Sequence, residues 1–111
     1  MSLSTHVLDT ATGRPASGLL VELFREDADG VVRLGHGHTN DDGRVKDLVP
    51  QAQMISGVYR LRFDTGSWHA AQGVVGFYPD VVIRFEIRAA NEHYHVPLLI
   101  SPYGYSTYRG S

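Results

Sequence analysis

Apolar and polar residues alternate along most of the chain, in short runs broken by turn-forming residues. In GVYRLRFDT (57–65), Tyr59, Leu61 and Phe63 fall on one face and Arg60 and Arg62 on the other. VVIRFEIRA (81–89) repeats the arrangement, with Val81, Ile83, Phe85 and Ile87 opposite Arg84, Glu86 and Arg88. A period of two carried by β-branched and aromatic residues belongs to strands with one buried face. The same reading predicts strands at LSTHVLDT (3–10), LLVELFRED (19–27) and VVRLGHGHT (31–39). Another follows the tight turn NDDG, at RVKDLV (44–49), and is ended by Pro50. HYHVPLLI (93–100) and YGYSTYRG (103–110) read as a hairpin whose second strand runs nearly to Ser111. Pro97 has no N–H to give a ladder, so its nitrogen is expected to face away from a partner. Only GSWHAAQG (66–73) looks helical, over one to two turns, with Ser67 as the candidate N-cap. About eight short strands at regular spacing predict an all-β fold, an antiparallel two-sheet sandwich with one short helix.

Composition narrows the function classes. At 111 residues the chain is expected to form one domain over 1–111, with 42% hydrophobic and 20% charged residues supporting a folded core. A net charge of -2 and a pI near 6.3 argue against nucleic acid or acidic lipid as partners. The longest apolar runs are too short for a membrane helix. With no cysteine, disulfides, thiolate zinc clusters and a Cys nucleophile are excluded. The opening MSLSTHVLDT lacks the basic and apolar regions of a secretory signal, so a cytoplasmic location is expected.

Six histidines are the most conspicuous candidates for chemistry. His6 lies mid-strand on the face of Ser4 and Leu8; by itself it reads as a half-buried histidine with a satisfied ring. His93 and His95, two apart on a strand, share a face with Pro97 and Leu99. His36 and His38 repeat that spacing beside a glycine and are expected to face solvent. Two such pairs could chelate a divalent metal. No carboxylate stands at ligand spacing beside either pair, so metal binding is the weaker reading and no cofactor is expected. Arg44, leaving the NDDG turn, and Arg109, near the end of the chain, read in isolation as a solvated charge and a partner for a nearby acid. No nucleophile elbow, zinc helix motif or phosphate loop is present.

Two long stretches carry a further signal. STHVLDTATGRPASGL near the start and HYHVPLLISPYGYSTYRGS at the end strongly resemble the 5-hydroxyisourate hydrolases, the transthyretin-related enzymes of urate breakdown. DDGR and FYPDVVIRFEI between them are similar to the same family, so the likeness spans essentially the whole chain. The terminal YRGS is its most specific part, separating the enzymes from the hormone carrier transthyretin. The resemblance implies a transthyretin-like (prealbumin-like) sandwich of eight strands and one helix, assembled as a homotetramer, a dimer of dimers, around a central channel. It also implies catalytic roles for His6, Arg44, His95 and Ser111, with Tyr108 joining them in binding a small-molecule substrate, 5-hydroxyisourate. No metal or other cofactor is implied.

The implied reaction adds water across an amide-like ring carbonyl of 5-hydroxyisourate and yields 2-oxo-4-hydroxy-4-carboxy-5-ureidoimidazoline. One imidazole would activate water, and the second would position water or pass a proton to the leaving nitrogen. Which histidine is the base stays open at this point. Arg44 would hold the oxyanion and the polar substrate, and Ser111 would offer a hydroxyl and a carboxylate. Pro97 and Tyr108 stand where transthyretin carries smaller side chains, which implies a shallower channel. The alternative is a small-molecule carrier that uses the central channel with an inert pocket.

Overall fold

The computed structural model describes residues 2–45, 48–49, 54–89 and 91–111. These residues form eight strands and one helix: β1 (Ser2–Asp9), β2 (Arg14–Pro15), β3 (Leu20–Asp27), β4 (Gly30–His38), β5 (Gly57–Phe63), α1 (Thr65–Ala71), β6 (Val81–Ile87), β7 (His93–Ser101) and β8 (Gly104–Thr107). They make two four-stranded sheets, ordered β2-β1-β7-β8 and β4-β3-β5-β6. The two-sheet, all-β architecture expected from the alternation is present.

Alternation sets the core directly. Tyr59, Leu61 and Phe63 of β5 are fully buried against Val21 and Leu23 of β3 in one sheet and Val7, Leu98 and Ile100 in the other. Full burial of one such side chain stabilises the fold by about 1.5–3 kcal/mol, so this layer dominates the energetics. The outward face of the second sheet carries ion pairs instead. Arg62 reaches Glu22 and Asp80, each at 2.7 Å, and Glu26 accepts from Arg60 and Arg84, each at 2.7 Å. Hydrogen bonds from Arg84 and then Arg60 hold the Glu26 carboxyl down at about 2.

Four expectations need correction. β1 and β7 pair in parallel, with Ser4 opposite His95 and His6 opposite Pro97, so the sandwich is not wholly antiparallel. The strand expected at 44–49 is not formed by its described residues: Arg44 makes only an isolated bridge to His6, and Val45, Leu48 and Val49 lie outside strands. Lys46 and Asp47 lie outside the described residues, as does Pro50. The sheet position goes instead to β2, where Pro15 pairs with Leu8. The helix begins at Thr65 with Asp64 as N-cap, ahead of the expected Ser67. Gly66 permits this, because its N–H donates to Pro79 O at 3.1 Å and a Cβ there would lie 2.3 Å from that oxygen.

The fourth correction concerns the end of the chain, where β8 stops at Thr107. The next rung would pair Tyr108 with Pro97, which has no N–H, so the ladder breaks there. Pro97 therefore sits in an inner strand with its nitrogen directed past the end of β8. Its carbonyl accepts from the Thr107 hydroxyl at 2.7 Å. The tail then keeps the same register, since Gly110 N–H donates to His95 O at 2.8 Å.

Thr39 joins the core to the turn that follows β4. Its buried hydroxyl donates to Ala16 O at 2.6 Å and accepts from Leu19 N–H at 2.9 Å. Replacing it with isosteric valine strands both backbone groups, at about 1–3 kcal/mol for each buried unsatisfied group. Thr39→Val is therefore expected to lower the unfolding free energy by about 2 kcal/mol or more, read as a reduced urea midpoint with an unchanged slope. An unchanged midpoint would show that Thr39 does not anchor this junction.

Candidate active site

The parallel register places two rows of side chains on the outward face of the first sheet. β1 contributes Ser2, Ser4, His6 and Leu8, and β7 contributes His93, His95, Pro97 and Leu99. Their sequence neighbours Thr5, Val7, Tyr94, Val96 and Leu98 turn into the core. His6 and His95 are both half-buried, while His93 is exposed.

Arg44 reaches this face through the turn at residues 40–43. The Asn40 side-chain carbonyl accepts from Asp42 N–H at 2.9 Å and from Arg44 N–H at 3.0 Å. Asn40 O accepts from Gly43 N–H at 2.9 Å, and Asn40 N–H donates to Arg44 O at 2.7 Å. The closed turn hands Gly43 O to Val7 N–H at 2.9 Å, which seats Arg44 beside His6. Gly43 has φ +78°, and a Cβ there would stand 2.4 Å from Val7 O and 3.2 Å from His6 Cδ2. Only glycine combines that left-handed backbone with such close packing.

A second glycine brings the tail against the other histidine. A Cβ on Gly110 would lie 2.4 Å from His95 Cδ2. Upstream of it, Arg109 pairs with Glu92 at 3.0 Å and stacks over the Tyr94 ring, 4.5 Å from its centroid. The acid partner expected for Arg109 is thus Glu92, and the arginine acts as a clamp on the tail. Tyr108 and Ser111 are exposed on either side of this clamped pair. Tyr108 and His95 border the same groove.

His95 is held by Ser4, whose Oγ lies 2.7 Å from His95 Nδ1. Burial, followed by the positive field of Arg44 and the neighbouring His93 and His6, pushes its pKa below the ordinary imidazole value. This setting disfavours the protonated form of the His95 ring. Among the described residues no group of three or more His, Asp or Glu side chains is arranged to hold a metal. His36 and His38 are exposed on β4, opposite Glu22 and Leu20, as expected of solvent-facing residues.

Sequence reasoning singled out His6, Arg44, His95, Tyr108 and Ser111; the first three come together on one face, and Tyr108 and Ser111 are exposed on the tail next to it. It missed the groups that hold them: Asn40, Gly43, Ser4 and Gly110. Asn40 and Gly43 were legible as turn residues. Ser4 could be found only from the parallel register, which pairs it with a residue 91 positions away.

The depressed basicity of His95 has a sign that can be measured. Its NMR titration midpoint should fall below the ordinary 6.5, and Arg44→Gln should raise it by removing a nearby positive charge. Because protonation is disfavoured in the folded state, the stability linked to this group is present above the unfolded pKa and is lost as pH falls through the folded one. A midpoint at or above 6.5 would contradict the arrangement.

The description "HIUase/Transthyretin family" belongs to the family profile that matches residues 3–110. The chain is 48% identical over 109 residues to the 5-hydroxyisourate hydrolase of Salmonella typhimurium, covering 98% of this chain and 80% of that protein. Among solved structures, the 5-hydroxyisourate hydrolase of Klebsiella pneumoniae superposes with a TM-score of 0.86 at 41% identity, covering 98% of both chains. The transthyretin of Sparus aurata superposes with a TM-score of 0.92 at 30% identity, covering 97% of this chain and 95% of that one. Transthyretin and hydrolase thus share one scaffold, and over nearly its whole length this chain belongs to the HIUase/Transthyretin family.

Proposed function

We propose that the protein hydrolyses 5-hydroxyisourate to 2-oxo-4-hydroxy-4-carboxy-5-ureidoimidazoline, a step of urate degradation in purine catabolism, with residues 1–111 acting as one hydrolase domain. The observation that carries this reading is the meeting of an imidazole whose protonation is disfavoured, a guanidinium and a second imidazole on one rigid sheet face. The relatives named 5-hydroxyisourate hydrolase support it, and they are closer in sequence than the carrier of similar fold.

In this reading His95 is the general base. A base must be unprotonated where it works, and burial beside Arg44 favours that state. His95 takes a proton from water as the oxygen bonds to the ring carbonyl carbon. Arg44 faces the oxyanion that forms and stabilises it as a fixed, permanently charged donor. The carbon–nitrogen bond then breaks, His6 delivers a proton to the leaving nitrogen, and the new carboxyl group returns its proton to His6. Tyr108 and the Ser111 hydroxyl border the substrate from the clamped tail. No metal or other cofactor takes part in these steps. The carrier alternative draws on the scaffold alone and gives the paired imidazoles no role.

Freshly prepared product of urate oxidation, followed by ultraviolet absorbance in chelator-treated buffer, tests this reading. The protein is expected to hasten loss of the 5-hydroxyisourate band well beyond its spontaneous decay. His6→Asn and His95→Asn should each lower kcat by about a hundredfold or more, whereas His36→Asn should change little. No acceleration by the wild type would overturn the reading. Equal losses at all three positions would point to a folding role instead.

The same reading includes a homotetramer, a dimer of dimers, in the cytoplasm. A fold that uses no cysteine is consistent with a reducing compartment. Support for self-association lies at the hairpin end of the sandwich. Val75, Phe77 and Tyr103 are 81%, 69% and 72% exposed. Phe77 N–H donates to Pro102 O at 2.7 Å, and the Tyr78 and Tyr105 rings meet edge-on at 5.2 Å, so these residues form one apolar patch. β6 and β8 are both edge strands, and a groove of about 610 Å³ runs between them, lined by Ile83, Phe85, Tyr94, Thr107 and Tyr108. Copies of the same chain would pair the edges and cover the patch. Sedimentation velocity at micromolar concentration should give a tetramer, and a monomer would contradict this.

A further inference from the structure

One constellation on the outward face continues from His95 to three residues that have no part in the chemistry assigned so far. Ser2, His93, Ser4 and His95 form a continuous row of alternating hydroxyls and imidazoles across β1 and β7. Ser4 Oγ lies 2.7 Å from His95 Nδ1 and 3.3 Å from His93 Nε2. The far nitrogen of His93, Nδ1, is hydrogen-bonded to Ser2 Oγ. The two rings are nearly parallel, inclined by 13° with centroids 6.5 Å apart. His95 is half-buried and His93 exposed, so the row runs from the site outward to solvent.

Resting on the hydrolase reading, we propose that Ser4 is a positioning residue that fixes the tautomer of His95 and that Ser4 and His93 together carry protons between His95 and solvent. Hydrogen-bond polarity along the row can run either way, and the role of His95 as base selects the direction that leads away from it. With His95 Nδ1–H donating to Ser4 Oγ, the Ser4 hydroxyl proton is free to donate to His93 Nε2. His93 Nδ1–H then donates to Ser2 Oγ. His95 Nε2 is left with its lone pair, the state a base needs.

The reaction gives this row something to carry. Opening an amide-like bond to a carboxylate and a non-basic ureido nitrogen releases one proton per turnover. As Nε2 of His95 takes a proton from water, its Nδ1–H bond breaks and that proton passes to Ser4 Oγ. The Ser4 hydroxyl proton passes in the same step to His93 Nε2. The exposed His93 imidazolium then loses its Nδ1 proton, on the Ser2 side, to water. Charge thereby leaves the surroundings of Arg44, where a second cation is unfavourable. Before the next turnover His95 Nε2–H gives its proton to solvent as product leaves. The row then returns one proton from water through His93 and Ser4 to His95 Nδ1. The titratable and charged groups facing His95 are Arg44 from the turn, His6 from β1, His93 from its own strand, and Tyr108 and Arg109 from the tail. Arg109 is taken up by Glu92.

Stopped-flow kinetics on Ser4→Ala, Ser4→Thr and His93→Gln, with nitrogen-15 NMR of the histidine rings, tests both parts. Ser4→Ala should lower kcat by about tenfold, within the range for losing a group that orients an active imidazole, with KM and melting temperature nearly unchanged. Ser4→Thr keeps the hydroxyl and should restore kcat. His93→Gln should slow turnover in dilute buffer and recover when imidazole buffer is added, because a soluble acceptor replaces the ring. NMR should show His95 as the Nδ1–H tautomer in the wild type and as a mixture in Ser4→Ala. Wild-type kcat in Ser4→Ala, or a loss in His93→Gln that added imidazole leaves unchanged, would overturn the relay. Should the wild type fail to open 5-hydroxyisourate at all, the hydrolase reading and the relay built on it fall together. The hold of Ser4 on His95 is then still decided by NMR, where an Nε2–H tautomer in the wild type overturns it.

Discussion

The parallel ladder between β1 and β7 is the constraint on which the rest of the site depends. It joins the beginning of the chain to its penultimate strand in a register that sets Ser4 beside His95 and His6 beside Pro97. Side chains alternate with period two, so a slip of one residue would turn His6 or His95 into the core and bring Thr5 or Val96 to the surface. Register here is held by burial: Val7, Leu98 and Ile100 are almost entirely enclosed, and Thr5 Oγ1 donates to Val96 O at 2.7 Å. The geometry of the outward histidines is therefore decided by the packing of their inward neighbours. Core and chemistry occupy alternate positions of the same two strands.

Around that ladder, each remaining group is delivered by backbone rather than by long side-chain reach. The Asn40 turn closes on itself and presents Gly43 O to Val7, which puts Arg44 next to His6. At the other end Pro97 interrupts β8, and the chain regains its register at Gly110, so the tail rises past Tyr108 and settles against His95. In both places a glycine stands where a side chain would collide, with Val7 O beside the His6 ring in the first and with the His95 ring in the second. Arg109 fastens the second approach through Glu92 and the Tyr94 ring, in a position where a free end would otherwise fray.

Much of this was legible in the amino-acid order, and the parts that were not share a cause. Seven strands follow from alternation, because a half-buried strand repeats every two residues whatever it pairs with. The short β2 carries no such repeat; its two residues join the sheet only because Leu8 and Asp9 are there to pair with. RVKDLV has the right residue types, yet Arg44 is drawn off by the bridge to His6, a contact that no local pattern announces. His6, Arg44 and His95 were recognisable from motifs and faces. Ser4 was noticed only as a neighbour of His6, because its partner is distant in sequence. The end of β8 was misjudged although Pro97 was correctly read as lacking a donor. That proline marks where its partner strand must stop, which requires knowing the pairing.

The two outward faces of the sandwich differ sharply in chemistry. The face of the second sheet is a lattice of ion pairs, with Glu22, Glu26 and Asp80 balancing Arg60, Arg62 and Arg84. Such a surface keeps its water, since burying paired charges gains little against their desolvation. The face of the first sheet has hydroxyls, imidazoles, Pro97 and leucines, and is suited to contact a small polar molecule or another copy of itself. Fold alone does not choose between holding a ligand and reacting with it: the Sparus aurata transthyretin shares the backbone as fully as the hydrolase of Klebsiella pneumoniae. The choice rests on few atoms. Burial and then the nearby Arg44 disfavour protonation of His95, and Ser4 Oγ lies within hydrogen-bond distance of its Nδ1. An imidazole whose protonation is disfavoured, set next to a fixed cation, is an arrangement that attack by water on a carbonyl can use and that simple binding does not need.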